Sequence, residues 1–289
     1  MCRDMTGPKA FVVGWPIAHS RSPLIHGTWL KQLGLPGSYE KIAVPPDAFP
    51  AFVAGLRAAG FAGGNVTIPH KQTAAALCGK LTATAQRLGA VNTLWFEGDV
   101  LIGDNTDGAG FLGALDQDAP DWDKRRRDVA IVLGAGGAAR AIADALLTRG
   151  FGRLIIANRT LDRADTLVRH IRDARCEASG FLGAQAALPR ADLLVNTTSA
   201  GMLGQPPLDF AIDDLPEHAV VDDIVYVPRD TPLLRAASAR GLRTVGGLGM
   251  LLHQAAPGFE HWFGMRPKVT PELRAIVEAD IAGELGARR

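Results

Sequence analysis

Apolar residues in this chain come in short runs closed by glycine or proline, and each run gives way to a stretch with helical spacing. Residues 10–14 (AFVVG) are the first run; the polar SRSP follows, and Leu24 to Leu33 reads as a helix stopped at Gly34. YEKIAV reads as a strand, Asp47 to Ala59 as a helix, FAGGNVTI as strand and loop, and Lys71 to Leu77 as a further helix. AVNTLWF (90–96) and VLI (100–102) predict a hairpin across Glu97-Gly98-Asp99 that leads into GDNTDG, and Gly108 to Leu115 is helical again. Strands alternating with helices predict a mainly parallel sheet with helices on its faces.

A second series begins at Asp128: DVAIVLGAGGAARAIADALLTRG, RLIIANRT, a polar helix, ADLLVNTTSAGM, HAVVDDIVY and LRTVGG. After Gly246-Gly247 the chain continues as GLGMLLHQAAPGFEHWF and an amphipathic helix from Pro271 to Leu285. The change between the two series falls near Asp107. At 289 residues two compact units are the expectation.

Composition narrows the partners. With 47% hydrophobic and 21% charged residues the chain is an ordinary globular sequence, which excludes disorder. A formal charge of +1 provides no broad field for nucleic acid or anionic membrane. The basic run Lys124 to Arg127 lacks interleaved aromatics and precedes a buried-type strand, so it reads as a solvated linker. Cys2, Cys78 and Cys176 form neither a disulfide framework nor a zinc spacing, and the histidines form no H-x-x-x-H pair, so no metal is expected. MCRDMTGPK has no long apolar core and no apolar run approaches the length of a membrane span, so a cytoplasmic protein is expected.

Candidate chemistry sits at the ends of the apolar runs. VAIVLGAGGAARAIADAL carries G-x-G-x-x-A between a strand and a helix. Gly134 permits the tight turn, Gly136 lets backbone approach a pyrophosphate, and Ala139 lets helix pack on strand; Ala135, Gly137 and Ala138 complete the turn. The next strand ends in Asn158-Arg159-Thr160, with Arg163 close behind, where an NAD-binding chain would carry a carboxylate for the ribose. Guanidinium groups there suit the 2′-phosphate of NADP(H) instead. VNTTSAGM turns abruptly small and polar after Val195, and its Thr197, Thr198, Ser199 and Met202 are expected at the nicotinamide end.

Ser20 and Ser22, between the first strand and a helix, can meet a small carboxylate. Asn65, Thr67, Asn92 and Asp107 each stand at or near the end of an apolar run, as a polyol site requires. Lys71 follows in NVTIPHK. Reducing a ketone builds negative charge on oxygen, which a lysine ammonium can stabilise and protonate; the reverse oxidation needs the neutral amine and is favoured by raised pH.

IAHSRSPLIH, GGNVTIPHK, AVNT, GDNTDG, GAGGAAR, NRT, NTTSAGM and GLGMLLHQAA occur in the order and spacing of the shikimate dehydrogenase family, and the resemblance covers nearly the whole chain. It implies two α/β domains with a cleft between them. Residues 1–106 with the returning 247–289 would form the substrate domain, and 107–246 a Rossmann-type NADP domain. It implies reversible NADPH-dependent reduction of 3-dehydroshikimate to shikimate in aromatic amino-acid biosynthesis. By the same resemblance Ser20 and Ser22 would bind the carboxylate and Asn65, Thr67, Asn92, Asp107 and Gln254 the ring hydroxyls. Lys71 and Asp107 would be the catalytic pair, and Tyr226 would lie near the carboxylate. Ile224, Gly247, Gly249 and Met250 would stand by the cofactor, and His19 and His70, which adjoin the proposed site, are assigned to packing or local hydrogen bonding. Monomer and homodimer both fit.

The chain has Gly14-Trp15-Pro16 where many relatives have Gly-Asn-Pro, and Ile68-Pro69-His70-Lys71 where others have valine and phenylalanine beside the same lysine. Quinate-preferring relatives commonly carry threonine at the position of Ser22, so Ser22 favours shikimate. Three rivals follow. A quinate/shikimate dehydrogenase using NAD is opposed by NRT, and a catalytically silent NADP-binding protein by Lys71 and Asp107. A folate-type dehydrogenase would need an aromatic pterin platform near NVTIPHK, where the sequence shows none.

Overall fold

The computed structural model describes residues 7–124 and 126–287. Along the chain the first elements are β1 (Lys9–Gly14), α1 (Ser22–Leu33), β2 (Ser38–Ala43), α2 (Phe49–Gly55), β3 (Phe61–Val66), α3 (Lys71–Leu77), β4 (Lys80–Leu81), α4 (Ala83–Leu88), β5 (Thr93–Glu97) and β6 (Val100–Asp104). Then come α5 (Asp107–Asp118), β7 (Val129–Leu133), α6 (Gly137–Arg149), β8 (Arg153–Ala157), α7 (Leu161–Ile171), β9 (Cys176–Ser179), α8 (Phe181–Ala187), β10 (Leu193–Asn196), β11 (Val220–Asp223), α9 (Pro232–Ala239), β12 (Arg243–Gly246) and α10 (Gly247–His253). The chain closes with α11 (Ala255–Phe263) and α12 (Pro271–Ala287). Two compact units result: the described residues up to Thr106 with those from Gln254 onward, and Asp107–His253.

The first unit is a six-stranded mixed sheet in the order β2-β1-β3-β5-β6-β4, parallel from β2 to β3 and antiparallel through the β5–β6 hairpin. Alternation along β1 divides its core. Phe11 and Val13 pack with Phe49, Val53 and Ala74 on one face, while Ala10 packs with Trp95 and Trp262 on the other. The returning helix α11 is pinned there by Trp262, whose indole N–H donates to Leu94 O at 2.8 Å.

The second unit is an all-parallel six-stranded sheet in the order β12-β11-β10-β7-β8-β9, the doubly wound arrangement. All five residues of β7 are buried, because helices cover both faces. Ala130 and Val132 meet Ile142 and Leu146 of α6 on one side; Val129, Ile131 and Leu133 meet Leu188, Leu233 and Ala237 on the other. Here α10 lies tight against α5, since a Cβ on Gly249 would stand 2.8 Å from that of Ala114.

Several elements differ in extent from the sequence pattern. The helix expected to reach Ala59 ends at Gly55, and the chain continues in turns that close with Phe61 N–H on Leu56 O. The helix expected to stop at Leu115 runs to Asp118. The sequence pattern did not mark the short β4, α4, β9 and α8. Cys78 and Cys176 are free thiols, and Cys2 lies outside the described residues, as does Arg125 of the basic run. Among the described residues no helix is long and apolar enough to cross a membrane, and no cluster of His, Cys, Asp or Glu is placed to hold a metal.

Candidate active site

In the second unit, sheet order reverses between β7 and β10, and a cleft of about 580 Å³ opens at their carboxyl ends. Its walls come from three strand ends: Gly134, Ala135 and Gly136 after β7, Asn158, Arg159, Thr160 and Arg163 after β8, and Thr197, Thr198 and Ser199 after β10. Gly134 has φ +112°, and a Cβ there would lie 2.4 Å from Thr197 Oγ1, so only glycine turns the chain this close to the neighbouring strand end. At Gly136 a Cβ would meet nothing within 4 Å. The space in front of the α6 N-terminus is therefore open to an anion, and the turn fits a pyrophosphate. Asn158 donates from Nδ2 to Thr160 O at 2.8 Å, which holds the arginine-bearing turn.

The Thr197-Thr198 turn rests on a buried network. Thr197 N–H donates to Leu133 O at 2.8 Å, and Asn196 Oδ1 accepts from Thr198 N and Oγ1 at 3.0 and 2.7 Å. Asn196 Nδ2 donates at 2.9 Å to Asp223, which also accepts from Thr231 at 2.7 Å. Burial raises the Asp223 pKa against the pull of these donors. Beside it, Asp222 is raised well above the carboxylate range by burial and then by the charges of Asp223 and Asp118.

Phe181 and the segment Gln205 to Asp209 also line the cleft, and nothing in the sequence pattern marked them. Gly137, Ala138, Met202, Ile224, Gly247 and Met250 are not on its wall. Gly137 and Ala138 open α6, and Met202 lies exposed in a turn. Ile224 donates its N–H to Asn196 O, Gly247 packs so tightly that a Cβ would sit 2.0 Å from Ile224 O, and Met250 packs on the second unit's core. Tyr226 is half-buried just past β11.

In the first unit, polar residues expected at the substrate converge through a shared hydrogen-bond network. Asn65 at the end of β3 and Asn92 just before β5 are 5% and 3% exposed. Asn65 Nδ2 donates to Asn92 O at 3.1 Å and to Thr93 Oγ1 at 3.3 Å. Asn92 Oδ1 accepts from Thr93 Oγ1 at 2.8 Å and from Thr106 N at 2.9 Å. Thr106 Oγ1 lies 3.1 Å from that same oxygen and 2.8 Å from Gln254 O, so it links the hairpin to the return of the chain. Lys71 opens α3, and its carbonyl accepts from Val91 N at 2.8 Å, which ties it to the segment that carries Asn92 into β5. Thr67, half-buried, donates its N–H to Val13 O at 2.9 Å.

Ser22 is buried, and its N–H donates to Ser20 Oγ at 3.4 Å, which draws the two serines together. Arg21 between them is buried and pairs with α12 through Asp280 at 3.2 Å and Glu284. His70 is stacked on Phe49 at 4.2 Å with Nε2 2.8 Å from Val44 O, and exposed His19 stands 3.3 Å from Glu284. Asp107 is the first residue of α5 and belongs, with Tyr226, to the second unit. Trp15 and Ile68, where the chain departs from the common pattern, are both exposed and joined by Trp15 N–H on Ile68 O at 3.0 Å.

Three family models match successive parts of the chain. Residues 12–94 match the shikimate dehydrogenase substrate binding domain, 119–230 the shikimate / quinate 5-dehydrogenase model, and 247–274 the shikimate 5'-dehydrogenase C-terminal domain. The chain belongs to the shikimate dehydrogenase family. It is 60% identical, over 96% of its length and 98% of the relative, to the shikimate dehydrogenase (NADP(+)) of Methylocella silvestris. It is 57% identical, over 94% of its length and 96% of the relative, to that of Mesorhizobium japonicum. Among solved structures it is similar to the Thermus thermophilus enzyme in complex with NADP(H) and shikimate, with TM-score 0.81, 36% identity and coverage of 95% and 98% of the two chains. It is similar also to the quinate dehydrogenase of Corynebacterium glutamicum in complex with NAD, with TM-score 0.87, 29% identity and coverage of 95% and 99%.

Proposed function

We propose that this chain catalyses the reversible NADPH-dependent reduction of 3-dehydroshikimate to shikimate in the cytoplasm, as a monomer or homodimer, with no nucleic-acid or membrane partner. The observation that carries this reading is the wall of the β7–β8–β10 cleft, where Arg159 and Arg163 stand beyond the phosphate turn and β8 ends without an acid. Two guanidinium groups favour a cofactor with a 2′-phosphate over one without.

Bound NADPH supplies the hydride. Ser20 and Ser22 hold the substrate carboxylate, with Tyr226 near it. Asn65, Thr67, Asn92 and Gln254 hold the ring hydroxyls. The Lys71 ammonium stabilises the charge that grows on the ketone oxygen and delivers its proton there. Asp107 orients that ammonium and accepts from a substrate hydroxyl. Gly134 to Ala138, Asn158 to Thr160 and Arg163 hold the phosphates and ribose, and Thr197 to Ser199, Met202, Ile224, Gly247 and Met250 frame the nicotinamide end.

Lys71→Ala tests the mechanism. Turnover of shikimate with NADP should fall by about 10² to 10⁴ with little change in KM, the signature of a lost acid-base group. Turnover near that of the parent would remove Lys71 from the reaction.

A further inference from the structure

A second row of side chains lies behind the polar residues of the first unit. Tyr39 on β2, Ala10 on β1 and Gly63 on β3 are in register across three parallel strands, so they share one face of the sheet. Asn65, two residues beyond Gly63, shares it too. Because Ala10 and Gly63 project little or nothing, the Tyr39 phenol reaches across β1, and its hydroxyl donates to Asn65 Oδ1 at 2.6 Å. The same hydroxyl has a side-chain hydrogen bond with Ser22, and burial raises its pKa well above that of free tyrosine, so it stays a protonated donor. The ring is clamped by His26, stacked on it at 4.0 Å and 13°, and by Trp262 at 5.8 Å.

A donor inventory shows what this contact decides. Asn65 uses its amide N–H groups on Asn92 O and Thr93 Oγ1, and Oδ1 spends one lone pair on Tyr39. With both N–H groups engaged, the amide can meet a further hydroxyl only as an acceptor, through Oδ1. A phenol that donates to Asn65 can still accept from Ser22, leaving the serine oxygen with its lone pairs directed elsewhere.

We propose that Tyr39 is a positioning residue for the substrate, fixing the Asn65 amide and the Ser22 hydroxyl in the orientation that receives a ring hydroxyl and the carboxylate; this rests on the reading of Asn65 and Ser22 as substrate ligands. Tyr39 meets the substrate only through those two side chains.

Steady-state kinetics of Tyr39→Phe test it, since phenylalanine keeps the ring on His26 and removes only the hydroxyl. KM for shikimate should rise about tenfold, the scale of one hydrogen bond, with kcat within about twofold and KM for NADP unchanged. In a Ser22→Ala/Asn65→Ala background the same change should lower kcat/KM by less than about twofold, because the groups it acts through are gone. A shikimate KM unchanged in Tyr39→Phe, or an equal loss in both backgrounds, overturns the proposal. If Ser22→Ala/Asn65→Ala alone leaves shikimate KM unchanged, the substrate reading of those residues fails and the role of Tyr39 fails with it.

Discussion

At the scale of single residues, the clearest division of labour is at the end of β8. Arg159 and Arg163 are on the wall of the cleft, while Gly134 and Gly136 shape its phosphate turn. A guanidinium that grips a 2′-phosphate contributes only when that phosphate is present. Arg159→Ala should therefore weaken NADP binding about 10- to 100-fold, in line with the loss of one or two charge-assisted bonds, and leave NAD binding unchanged. Calorimetric titration with each cofactor checks this, and equal losses for both would place Arg159 elsewhere. The strand-end residues of this cleft were legible in the sequence because each directly follows an apolar run. Phe181 and Gln205 to Asp209 were not, since they come from segments with no apolar run before them. Tyr39 was hidden for another reason: its contact with Asn65 depends on the lateral order of three strands.

At the scale of elements, periodicity marked the long buried strands and helices. Two-residue β4 escaped because a period cannot be read in so few positions, and the short helices α4 and α8 were not marked either, whereas α2 was read several residues too long. Whether α10 joins the unit before or after it is likewise set by a distant contact, that of Gly249 with Ala114. The β3–β5 pairing shows how tightly such contacts bind the first unit. Gly63 has φ +155°, and a Cβ on it would lie 2.1 Å from Leu94 O and 2.5 Å from the Trp262 indole nitrogen. Gly63→Ala would push the hairpin and α11 away from β3 together. We expect a loss of about 3 kcal/mol or more in urea unfolding, the range of backbone strain combined with overpacking. A change under about 1 kcal/mol would show that β3 can shift at small cost.

At the scale of the whole molecule, His26 sets a dependence on pH. It is fully buried among Tyr39, Trp29, Phe259 and Trp262, and burial lowers its pKa from 6.5 to about 3, opposed only in part by the Asn65 side chain. The folded state therefore excludes a proton that the unfolded chain accepts below pH 6.5. Its contribution is complete above that pH and is lost as pH falls toward 3, at up to about 1.4 kcal/mol per pH unit. His26→Phe retains the ring and removes the titration, so across this window its unfolding free energy should fall less steeply than the parent's, by close to one proton. Parallel pH profiles for the two proteins would contradict the burial of a neutral imidazole.

The central claim is a pairing of one substrate with one cofactor, and the most direct measurement is the initial rate of oxidation of shikimate and of quinate, each with NADP and with NAD, on the purified protein. We expect shikimate with NADP to give the highest kcat/KM by a wide margin. A preference for quinate would contradict the part given to Ser22, and a preference for NAD the part given to Arg159 and Arg163. Absence of turnover in all four pairings would contradict the enzyme itself and leave a protein that binds nucleotide without chemistry.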